Sequence, residues 1–543
     1  MTKKIQLFSF ITFSFIGLLI ILVKLLLLDK GLVMDDEAWF LLLMRDLPTG
    51  GDAPTQFYKL FNNIFNGNIF SIRLSFLFFE VICYSVFSLG VFTYFKNQLN
   101  FKPLHFFIIL SVTVIGNAIF SLPICNIPYY ANLNKTLLPF SIGIFLLGIN
   151  QFKNNKKHLW VIFFSGVIIG FQPFIMITTI TVYPLFYFLI YYYFRKKNVK
   201  VFLIYNLGIL TSIGFYFTII ESPFHFINEE IMPNMTAYSS SDYNEKHGIL
   251  PIIRWIFVTL EYIFFDCLLL ALGFIAFIYI QPKLNNIQKK LAYGIIILAS
   301  CVFYYFDVIK GEHEYSSMNL FIALFLFLII DNLYIKKEFI ESTPIIVTIL
   351  VLPFLLSIGT DVDFKIRATD YIGTYFTLIF ILSYAYKKKI NIIFSSIILL
   401  YFINYLSMYY RDNWGQFRYS DQKFSLKEIG VNQNLFLDKV NYTNLKLLKP
   451  YFKKNEKVVV SHKNINASIY LLDVKMISYD FKLNPFKVIQ RINKTLNQDT
   501  LKLVETSYYP FETDFLDDIE KKSNYNLNKI KPVGIYNIYY FIK

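Results

Sequence analysis

Charged residues are scarce in this sequence. Asp, Glu, Lys and Arg together make up 16% of the 543 residues, whereas soluble domains carry roughly 25%. Hydrophobic residues reach 55%, and the mean hydropathy is +0.48. A single soluble core stops growing at about 250–300 residues, so it cannot bury this much apolar surface. The composition therefore excludes an ordinary cytosolic enzyme and a disordered chain, and it predicts a polytopic membrane protein.

Cysteine is scarce as well. The sequence has four, at Cys83, Cys125, Cys267 and Cys301. Their spacing matches neither a disulfide framework nor a set of metal ligands. The scarcity excludes a disulfide scaffold, and we interpret the four thiols as small buried hydrophobic groups.

Two sequence signals are absent. No Gly-rich phosphate loop follows any predicted strand, which argues against a nucleotide-binding domain. No internal repeat of 20–50 residues is visible. Because many transporters are built from paired repeats, this second absence argues against a transporter.

Long apolar runs recur through the first 410 residues. A membrane-spanning helix needs about 20 apolar residues, and the runs predict about 13 spans. The first run lies behind Lys3 and Lys4, and no small-residue cleavage site follows it, so we interpret it as a retained helix. The predicted spans fall in residues 5–28, 69–94, 104–122, 137–148, 159–172, 177–194, 201–220, 249–280, 291–307, 318–335, 344–358, 372–386 and 390–410.

The connections between these runs alternate in charge. Every second one is basic, such as that with Arg195 and Lys196, and the alternate ones hold most of the acids, such as Glu229 and Glu230. Cytoplasmic loops collect Lys and Arg, which accounts for the net charge of +15 without a nucleic-acid partner. We therefore expect a multi-pass protein of a cell membrane, by default the bacterial inner membrane. Its N-terminus is predicted to be cytoplasmic and its C-terminal domain extracytoplasmic.

The C-terminal part differs in composition from the rest. Charge rises after residue 410, and strand-length apolar runs alternate with helical patterns, which is typical of an open α/β sheet. We predict a transmembrane domain over residues 1–410 and a C-terminal extracytoplasmic α/β domain over residues 411–543. The predicted strands are 457–461, 475–478, 501–506 and 534–542, and the predicted helices are 442–452, 485–496 and 513–522.

Three consecutive acids, Asp35, Asp36 and Glu37, follow the first apolar run and precede Trp39 and Phe40. One interpretation is a hydrated loop with a helix N-cap, since Asp before an apolar run caps a helix well. The other is a general base, because adjacent like charges and partial burial shift a carboxyl toward the proton affinity that a base needs. The residues alone leave both interpretations open.

This arrangement resembles the GT-C glycosyltransferases. More narrowly, it is similar to the protein mannosyltransferases and lipid A aminoarabinose transferases that use polyprenyl-phosphate sugars. The shared pattern is a first helix, an outer loop that opens with paired acids and an aromatic residue, and an arginine at the start of the second helix, here Arg73. The resemblance implies that Asp36, Asp35 and Glu37 are catalytic and that Arg73 binds the donor.

One position departs from the pattern of that group. Several members carry a lysine after a Gly-rich stretch in a middle helix, near the donor phosphate. In the nearest local match, from Gly166 to Pro173, Gln172 stands at that place. Glutamine can hydrogen-bond a phosphate but cannot neutralise it, so we expect other residues to supply positive charge.

Tyr129, Tyr130 and Lys135 are further candidates for donor binding. The tyrosines can hold a sugar and the lysine can reach a phosphate, but an interfacial aromatic belt explains the tyrosines equally well. His313 lies between two glutamates, which favour a charged imidazole; a hydrated polar turn is the alternative. No full set of metal ligands is visible, so the sequence indicates no metal site and no cofactor, although a divalent cation near the acids is compatible with it.

The resemblance and the topology together imply an inverting glycosyltransferase. Its polyprenyl-phosphate sugar donor lies among membrane lipid in a groove between spans, and its acceptor is a glycan, a lipid or a protein at the outer face. Asp36, or else Asp35, takes the proton of the acceptor hydroxyl, and the lipid phosphate leaves. The donor supplies the activation, so no nucleotide-binding domain is needed. The alternative is a polysaccharide or lipid-linked oligosaccharide transporter or polymerase.

A reporter enzyme that is active only outside the cytoplasm tests the predicted topology. Fused after Tyr410 it should be active, and fused near Lys388 it should be inactive, because the basic loop there is predicted to be cytoplasmic. The reverse pattern of reporter activity would put the acidic loops in the cytoplasm and the proposed site on the wrong side.

Overall fold

The computed structural model of the protein describes residues 3–32, 36–46, 62–120, 127–128, 130–154, 159–195, 198–220, 222–225, 316–330, 340–357, 370–384, 397–399, 401–403, 405–406, 418–462, 465–477 and 499–543, with short stretches elsewhere. Most of these residues are helical, and the C-terminal part carries a β-sheet. Before that part, the longer helices are α1 (Lys3–Leu26), α2 (Asp36–Asp46), α3 (Ile69–Leu99), α4 (Leu104–Phe120), α5 (Tyr130–Lys153), α6 (Trp160–Ile175), α7 (Tyr183–Phe194), α8 (Asn198–Phe215), α9 (Ser316–Ile329), α10 (Thr343–Ser357) and α11 (Ile372–Tyr384).

Helices of membrane-spanning length and composition dominate this part of the chain. Among the described residues, five segments are long and apolar enough to cross a membrane, and four further apolar helices are shorter. The predicted helical architecture with a C-terminal sheet is confirmed in this form. The predicted number of about 13 spans is not confirmed, and the runs at 249–280 and 291–307 lie mostly outside the described residues. The five segments are Ile69–Leu99, Ala131–Lys153, Ile177–Phe194, Val199–Ile220 and Ile340–Ser357.

The contacts divide the chain into two units. The first, called the helical unit below, comprises Met1–Lys24, Phe78–Leu122 and Tyr130–Leu406. The second, called the sheet unit, comprises Leu25–Leu77, Pro123–Tyr129 and Ser407–Lys543. The segment that contains the three acids therefore belongs to the same unit as the C-terminal residues. The domain boundary near residue 410 stays a prediction.

In the helical unit, α6 and α8 approach closely because both carry glycine at the contact. A Cβ on Gly166 would collide with the carbonyl oxygen of Tyr205, and a Cβ on Gly208 would collide with that of Phe163. Within a membrane, helices associate through such close backbone packing, since burial from water supplies no driving force there. The two glycines therefore set the separation of α6 and α8.

Hydroxyl groups join three other helices of this unit. Ser88 Oγ on α3 lies 3.2 Å from Thr113 Oγ1 on α4, which lies 2.7 Å from Thr377 Oγ1 on α11. All three side chains are fully buried. Each hydroxyl is thus paired across a helix interface, as buried polar groups generally are.

Helix α6 ends in a break. Pro173 lies in its last turn, Met176 is extended, with φ −150° and ψ 106°, and a 3-10 turn over Ile177–Val182 leads into α7. The sequence predicted one continuous span over 177–194. The break at Pro173 to Met176 lies between two of the predicted spans, 159–172 and 177–194, and only the 3-10 turn departs from the predicted second span.

The sheet unit carries a five-stranded mixed sheet. Its elements are β1 (Phe424–Ser425), β2 (Phe436–Leu437), α12 (Lys439–Leu448), β3 (Lys457–Val460), α13 (Asn466–Leu471), β4 (Lys475–Met476), β5 (Thr500–Thr506), α14 (Thr513–Lys522), β6 (Asn526–Val533) and β7 (Tyr536–Ile542). The strand order is β4-β3-β5-β7-β6, with β3 parallel to β4 and β5, and β7 antiparallel to β5 and β6. The four predicted strands are confirmed with shifted ends, and the helix at 513–522 is confirmed. β6 and the β1–β2 hairpin were not predicted.

Different helices pack on the two faces of this sheet. One face packs Leu501, Leu503 and Phe541 against Phe515 and Ile519 of α14. The opposite face includes Thr506 of β5 and Tyr536 of β7, which are directly paired in register and so point to the same side. The hydroxyl of Tyr536 is hydrogen-bonded to Ser468 of α13. Helix α13 therefore covers this second face.

Hydrogen bonds join the segment 25–77 to the C-terminal residues within the sheet unit. The N–H of Phe436 donates to the carbonyl of Asp29 at 2.8 Å, and the N–H of Gly31 donates back to Phe436 at 2.9 Å. The Gln433 side chain accepts from the N–H of Ile69 at 3.1 Å and donates to the carbonyl of Gly67 at 2.9 Å. These bonds hold both the chain after α1 and the start of α3.

Substitution of Gly208 by alanine should destabilise the protein by roughly 1–3 kcal/mol, because the added methyl overpacks the α6–α8 contact. Thermal unfolding of the purified protein in detergent measures the change. Gly214→Ala on the same helix is the matched control, since a Cβ there meets nothing within 4 Å; it should leave Tm unchanged or raise it. Equal Tm values for the two variants would contradict the close approach of these helices.

Candidate functional site

Arg73 and Glu37 form a buried ion pair in the sheet unit. Nε of Arg73 donates to Oε1 of Glu37 at 2.9 Å, and Nη2 donates to Oε2 at 2.8 Å. The two side chains are 5% and 0% exposed. Two parallel hydrogen bonds of this kind fix the orientation of the two side chains and also balance their charges. Arg73 lies one turn into α3 and Glu37 is the second residue of α2, so the pair joins these two helices.

The same guanidinium also binds the chain that follows α1. Nη1 donates to the carbonyl oxygens of Leu28 at 2.8 Å and Lys30 at 3.4 Å, and Nη2 donates to that of Gly31 at 2.9 Å. With the two bonds to Glu37, all five N–H groups of Arg73 are used. Arg73 thus joins three parts of the sheet unit, and in this arrangement it keeps no N–H for the donor binding predicted from the resemblance.

The contacts of Arg73 with Glu37 and with the carbonyl oxygens of Leu28, Lys30 and Gly31 are called the Arg73 clamp below. The clamp fixes the point at which α2 begins. Asp36 is the first residue of α2, and the N-terminus of a helix stabilises negative charge. Asp35 and the side chain of Asp36 lie outside the described residues, so their catalytic role stays a prediction. Glu37 is engaged by Arg73 and fully buried, which makes it a structural anchor beside the two aspartates.

The other end of α2 is anchored by Arg45. Its guanidinium donates to the carbonyl oxygens of Tyr470 at 2.8 Å and Val474 at 2.5 Å, and it pairs with Asp46. Burial lowers the pKa of Arg45, but the hydrogen bond and the charge of Asp46 raise it, and the net pKa is raised. Burial also raises the pKa of Tyr470, whose hydroxyl donates to the carbonyl of Gly67 at 2.7 Å. Helix α2 therefore packs on α13 through specific polar contacts.

A second polar cluster lies in the helical unit. Nζ of Lys24 on α1 lies 2.9 Å from Oε2 of Glu80 on α3, and the hydroxyl of Tyr84 donates to Oε1 at 3.2 Å. Lys24 and Glu80 are 9% and 4% exposed. Lys135 lies on α5 of the same unit. The ammonium of Lys24 and the carboxylate of Glu80 thus form a buried pair in a largely apolar unit.

Gln172 lies just before the break after α6 and is fully buried. Among the described residues, neither atom of its side-chain amide has a hydrogen-bond partner. Its carbonyl accepts from the N–H of Met176 at 2.7 Å, and Sδ of Met176 lies 3.2 Å from Nδ2 of Asn134, whose Oδ1 also lacks a partner within this part of the chain. Each unpaired buried polar atom costs about 1–3 kcal/mol. A polar ligand that paired with these atoms would remove that cost.

The other predicted site residues fall partly outside the described structure. Tyr130 is the first residue of α5, but its side chain lies outside the described residues, as do Tyr129 and His313. Their roles stay predictions. Among the described residues, no group of three or more His, Cys, Asp or Glu side chains is placed to hold a metal ion.

Sequence reasoning missed Arg45 and the pairing of Lys24 with Glu80. The signal for the last of these was visible, because an acid inside an apolar run is costly and usually has a partner. That partner lies 56 residues away on another helix, and the sequence does not indicate which of many lysines it is. The role of Arg45 depends on tertiary contacts that no local pattern predicts.

No protein-family model and no curated protein sequence matches the chain. In structure it is similar to an oligosaccharyltransferase of Archaeoglobus fulgidus tethered with an acceptor peptide, with 13% identity and a TM-score of 0.49 over 93% of this chain and 69% of that one. The archaeal oligosaccharyltransferase AglB, in complex with an inhibitory peptide and a dolichol-phosphate, gives 12% identity and a TM-score of 0.48 over 95% and 70%. ArnT from Cupriavidus metallidurans, bound to undecaprenyl phosphate, gives 10% identity and a TM-score of 0.39 over 97% of both chains.

These proteins are glycosyltransferases of the GT-C type, the group that the sequence resembles. Identities of 10–13% with TM-scores of 0.39–0.49 transfer neither an activity nor the role of any residue to this chain.

Removal of the Arg73 side chain should destabilise the sheet unit strongly. Arg73→Met leaves the buried Glu37 carboxylate without its partner, and breaking a buried pair in this way costs about 3–5 kcal/mol. The double variant Arg73→Met/Glu37→Leu should recover part of that loss, because no buried charge remains. Thermal unfolding of the purified protein measures both effects.

Lys30→Met serves as the control for this series. Its ammonium lies 4.0 Å from Asp29, and both side chains are partly exposed, so its loss should cost less than about 1 kcal/mol. An Arg73→Met variant as stable as the Lys30→Met variant would contradict the clamp.

Proposed function

We propose that the protein is an inverting membrane glycosyltransferase. It moves a sugar from a polyprenyl-phosphate donor to a glycan, lipid or protein acceptor at the outer face of the bacterial inner membrane. The observation that supports this best is the Arg73 clamp, because a buried guanidinium with all five N–H groups engaged holds the start of α2, where the acids stand.

The Arg73 clamp also reduces the number of acids that could act as the general base. Glu37 has its charge balanced by Arg73. Asp36 and Asp35 are therefore the candidates for accepting a proton, with Asp36 first because α2 begins there.

The helical unit offers groups suited to the donor headgroup. Gln172 and Asn134 have amide atoms without partners among the described residues, and they lie at the break after α6. Amide N–H groups can donate to a phosphate or a sugar hydroxyl. Because Arg73 has no N–H to spare, we assign the stabilisation of the phosphate charge to Lys135 and His313, with Tyr129 and Tyr130 beside the sugar.

The reaction is a single displacement at the anomeric carbon. Asp36 takes the proton of the acceptor hydroxyl as the acceptor oxygen attacks the sugar. The bond between the anomeric carbon and the phosphate oxygen breaks, and the polyprenyl phosphate leaves with that electron pair. Cationic groups that stabilise the developing charge on the phosphate lower the barrier. Attack opposite the leaving group inverts the anomeric centre.

A transporter or polymerase of lipid-linked saccharides is the second candidate. The observation in its favour is the interrupted stretch α6–α7, since transporters often bind substrate at broken helices. A transporter would move its substrate across the membrane without forming a glycosidic bond, whereas a polymerase would join lipid-linked saccharides to one another. Product analysis separates these functions, because a transporter gives no new glycoside, a polymerase gives a longer lipid-linked saccharide, and the proposed transferase releases polyprenyl phosphate together with an acceptor that carries one added sugar.

Asp36→Asn should reduce sugar transfer by about 10²–10⁴-fold, since the amide keeps the shape but cannot act as a base. Membranes containing the variant are incubated with undecaprenyl-phosphate hexoses and a membrane extract as acceptor, and release of undecaprenyl phosphate is measured. Asp35→Asn should be harmful too.

Asp421→Asn is the control, because this acid is exposed and lies in the sheet unit away from α2 in sequence. It should transfer at the wild-type rate. NMR of the product should show the anomeric configuration opposite to that of the donor. Near-full transfer by both Asp35→Asn and Asp36→Asn would exclude the proposed base.

A further inference from the structure

The strand order in the sheet unit reverses direction between β3 and β5, which makes this position a topological switch point of the sheet. From β3 the chain crosses to β4 on one side, and from β4 it returns to β5 on the other side, with all three strands parallel. In open α/β sheets, ligands bind in the crevice outside the carboxyl ends of the two strands at such a point. Here those ends are followed by Ser461 and His462 after β3, and by Ser507 to Tyr509 after β5.

An aromatic stack stands at this edge. The rings of His462 and Tyr509 are 3.8 Å apart between centroids and almost parallel, at 8°. Tyr509 is 43% exposed and the neighbouring Tyr508 is 73% exposed. Exposed, oriented aromatic rings of this kind provide a flat apolar face with a polar rim.

The loop that carries Tyr509 is rigidly held. Glu505, which is buried, accepts from the N–H of Phe511 at 2.7 Å and from the Tyr539 hydroxyl at 2.7 Å. Ser461 Oγ donates to the carbonyl of Tyr509 at 2.6 Å. The stack is therefore positioned before any ligand binds, which reduces the entropy lost on binding.

Two buried polar side chains at the same edge have no partner. Asn466, at the start of α13, is 1% exposed, and Thr506, at the end of β5, is 4% exposed. Within the described part of the chain, neither amide atom of Asn466 nor the hydroxyl of Thr506 makes a hydrogen bond. Thr506 lies opposite Tyr536, whose hydroxyl binds Ser468, two residues from Asn466. Both groups therefore lie on the face of the sheet that α13 covers.

We propose that the carboxyl edge of β3 and β5 binds a sugar ring of the acceptor, with the outer face of the Tyr509 ring, supported from behind by His462, as the stacking face and Asn466 and Thr506 as hydrogen-bond partners for its hydroxyls. A pyranose has an apolar face of C–H groups and a rim of hydroxyls, and the edge offers both kinds of contact. An amide and a hydroxyl can each donate and accept, which matches hydroxyl groups on a ring.

The location connects this site to the acids. Asn466 begins α13, and α13 packs on α2, the helix that starts at Asp36. Arg45 of α2 donates to the carbonyl oxygen of Tyr470 in α13 at 2.8 Å. An acceptor sugar bound here would lie next to the helix that packs on α2, and its role as acceptor rests on the proposed function.

Binding is tested without transfer. The full chain in lipid nanodiscs is mixed with the methyl glycosides of glucose, mannose, galactose and N-acetylglucosamine at millimolar concentration, and saturation-transfer difference NMR reports binding. At least one glycoside should bind to the wild-type protein. Asn466→Leu, Thr506→Val and Tyr509→Ala should each weaken that binding by about tenfold, as expected for the loss of a polar or stacking contact.

Stability distinguishes a binding role from a structural one. Because Asn466 and Thr506 have no partner to lose, Asn466→Leu and Thr506→Val should leave Tm unchanged or raise it while binding falls. Thr500→Val at the other end of β5 and Tyr442→Ala elsewhere in the sheet unit are the matched controls, and both should bind like the wild type.

The transfer assay tests the proposed function, and the binding assay tests the proposed sugar site, so each proposal can be contradicted on its own. Asp36→Asn should still bind the glycoside although it cannot transfer, so loss of transfer without loss of binding supports both. If the wild type binds none of the four glycosides, or if Asn466→Leu and Thr506→Val lower Tm without changing binding, the sugar site is wrong whatever the transfer assay shows.

Discussion

The sheet unit depends on one buried ion pair. Water would solvate a guanidinium and a carboxylate well, and removing both from water is expensive unless the geometry is excellent and the remaining N–H groups are bonded. Arg73 meets that condition through a fork to Glu37 and three backbone carbonyls. Because an incompletely satisfied guanidinium would be costly, the chain after α1, the start of α2 and the first turn of α3 have one arrangement relative to each other.

Several other buried polar groups are paired within the fold, although single atoms of others, such as the Tyr205 hydroxyl, lack a hydrogen-bond partner among the described residues. Glu80 pairs with Lys24, and Thr113 bridges two helices, so these polar groups are satisfied within the fold. Against this background, Gln172 and Asn466 stand out because their amides are buried without partners in the described part of the chain. Natural proteins depart from local rules mainly at functional sites, which is why the donor and acceptor sites are proposed at these two residues.

The sequence predicted elements whose burial pattern is local. Helix α14 was predicted over the residues it occupies, since Phe515 and Ile519 recur four residues apart on one buried face. Strand β6 was not predicted because all of it except Val533 is exposed, and its conformation is imposed by pairing with β7. The acids and Arg73 were identified as a group, but the bond from Arg73 to Glu37 spans 36 residues, and sequence spacing cannot tell an arginine that binds a carboxylate from one that binds a phosphate.

The contacts of Arg45 have a consequence for biosynthesis. Its hydrogen-bond acceptors, the carbonyls of Tyr470 and Val474, follow it by 425 and 429 residues. At roughly 5–20 residues per second of translation, the ribosome needs on the order of 20–85 s to reach them after it has made α2. During that time every apolar run from residue 69 to residue 410 is synthesised. The segment that carries the acids therefore waits for its tertiary partners, and the sheet unit can be completed only after those runs have been made.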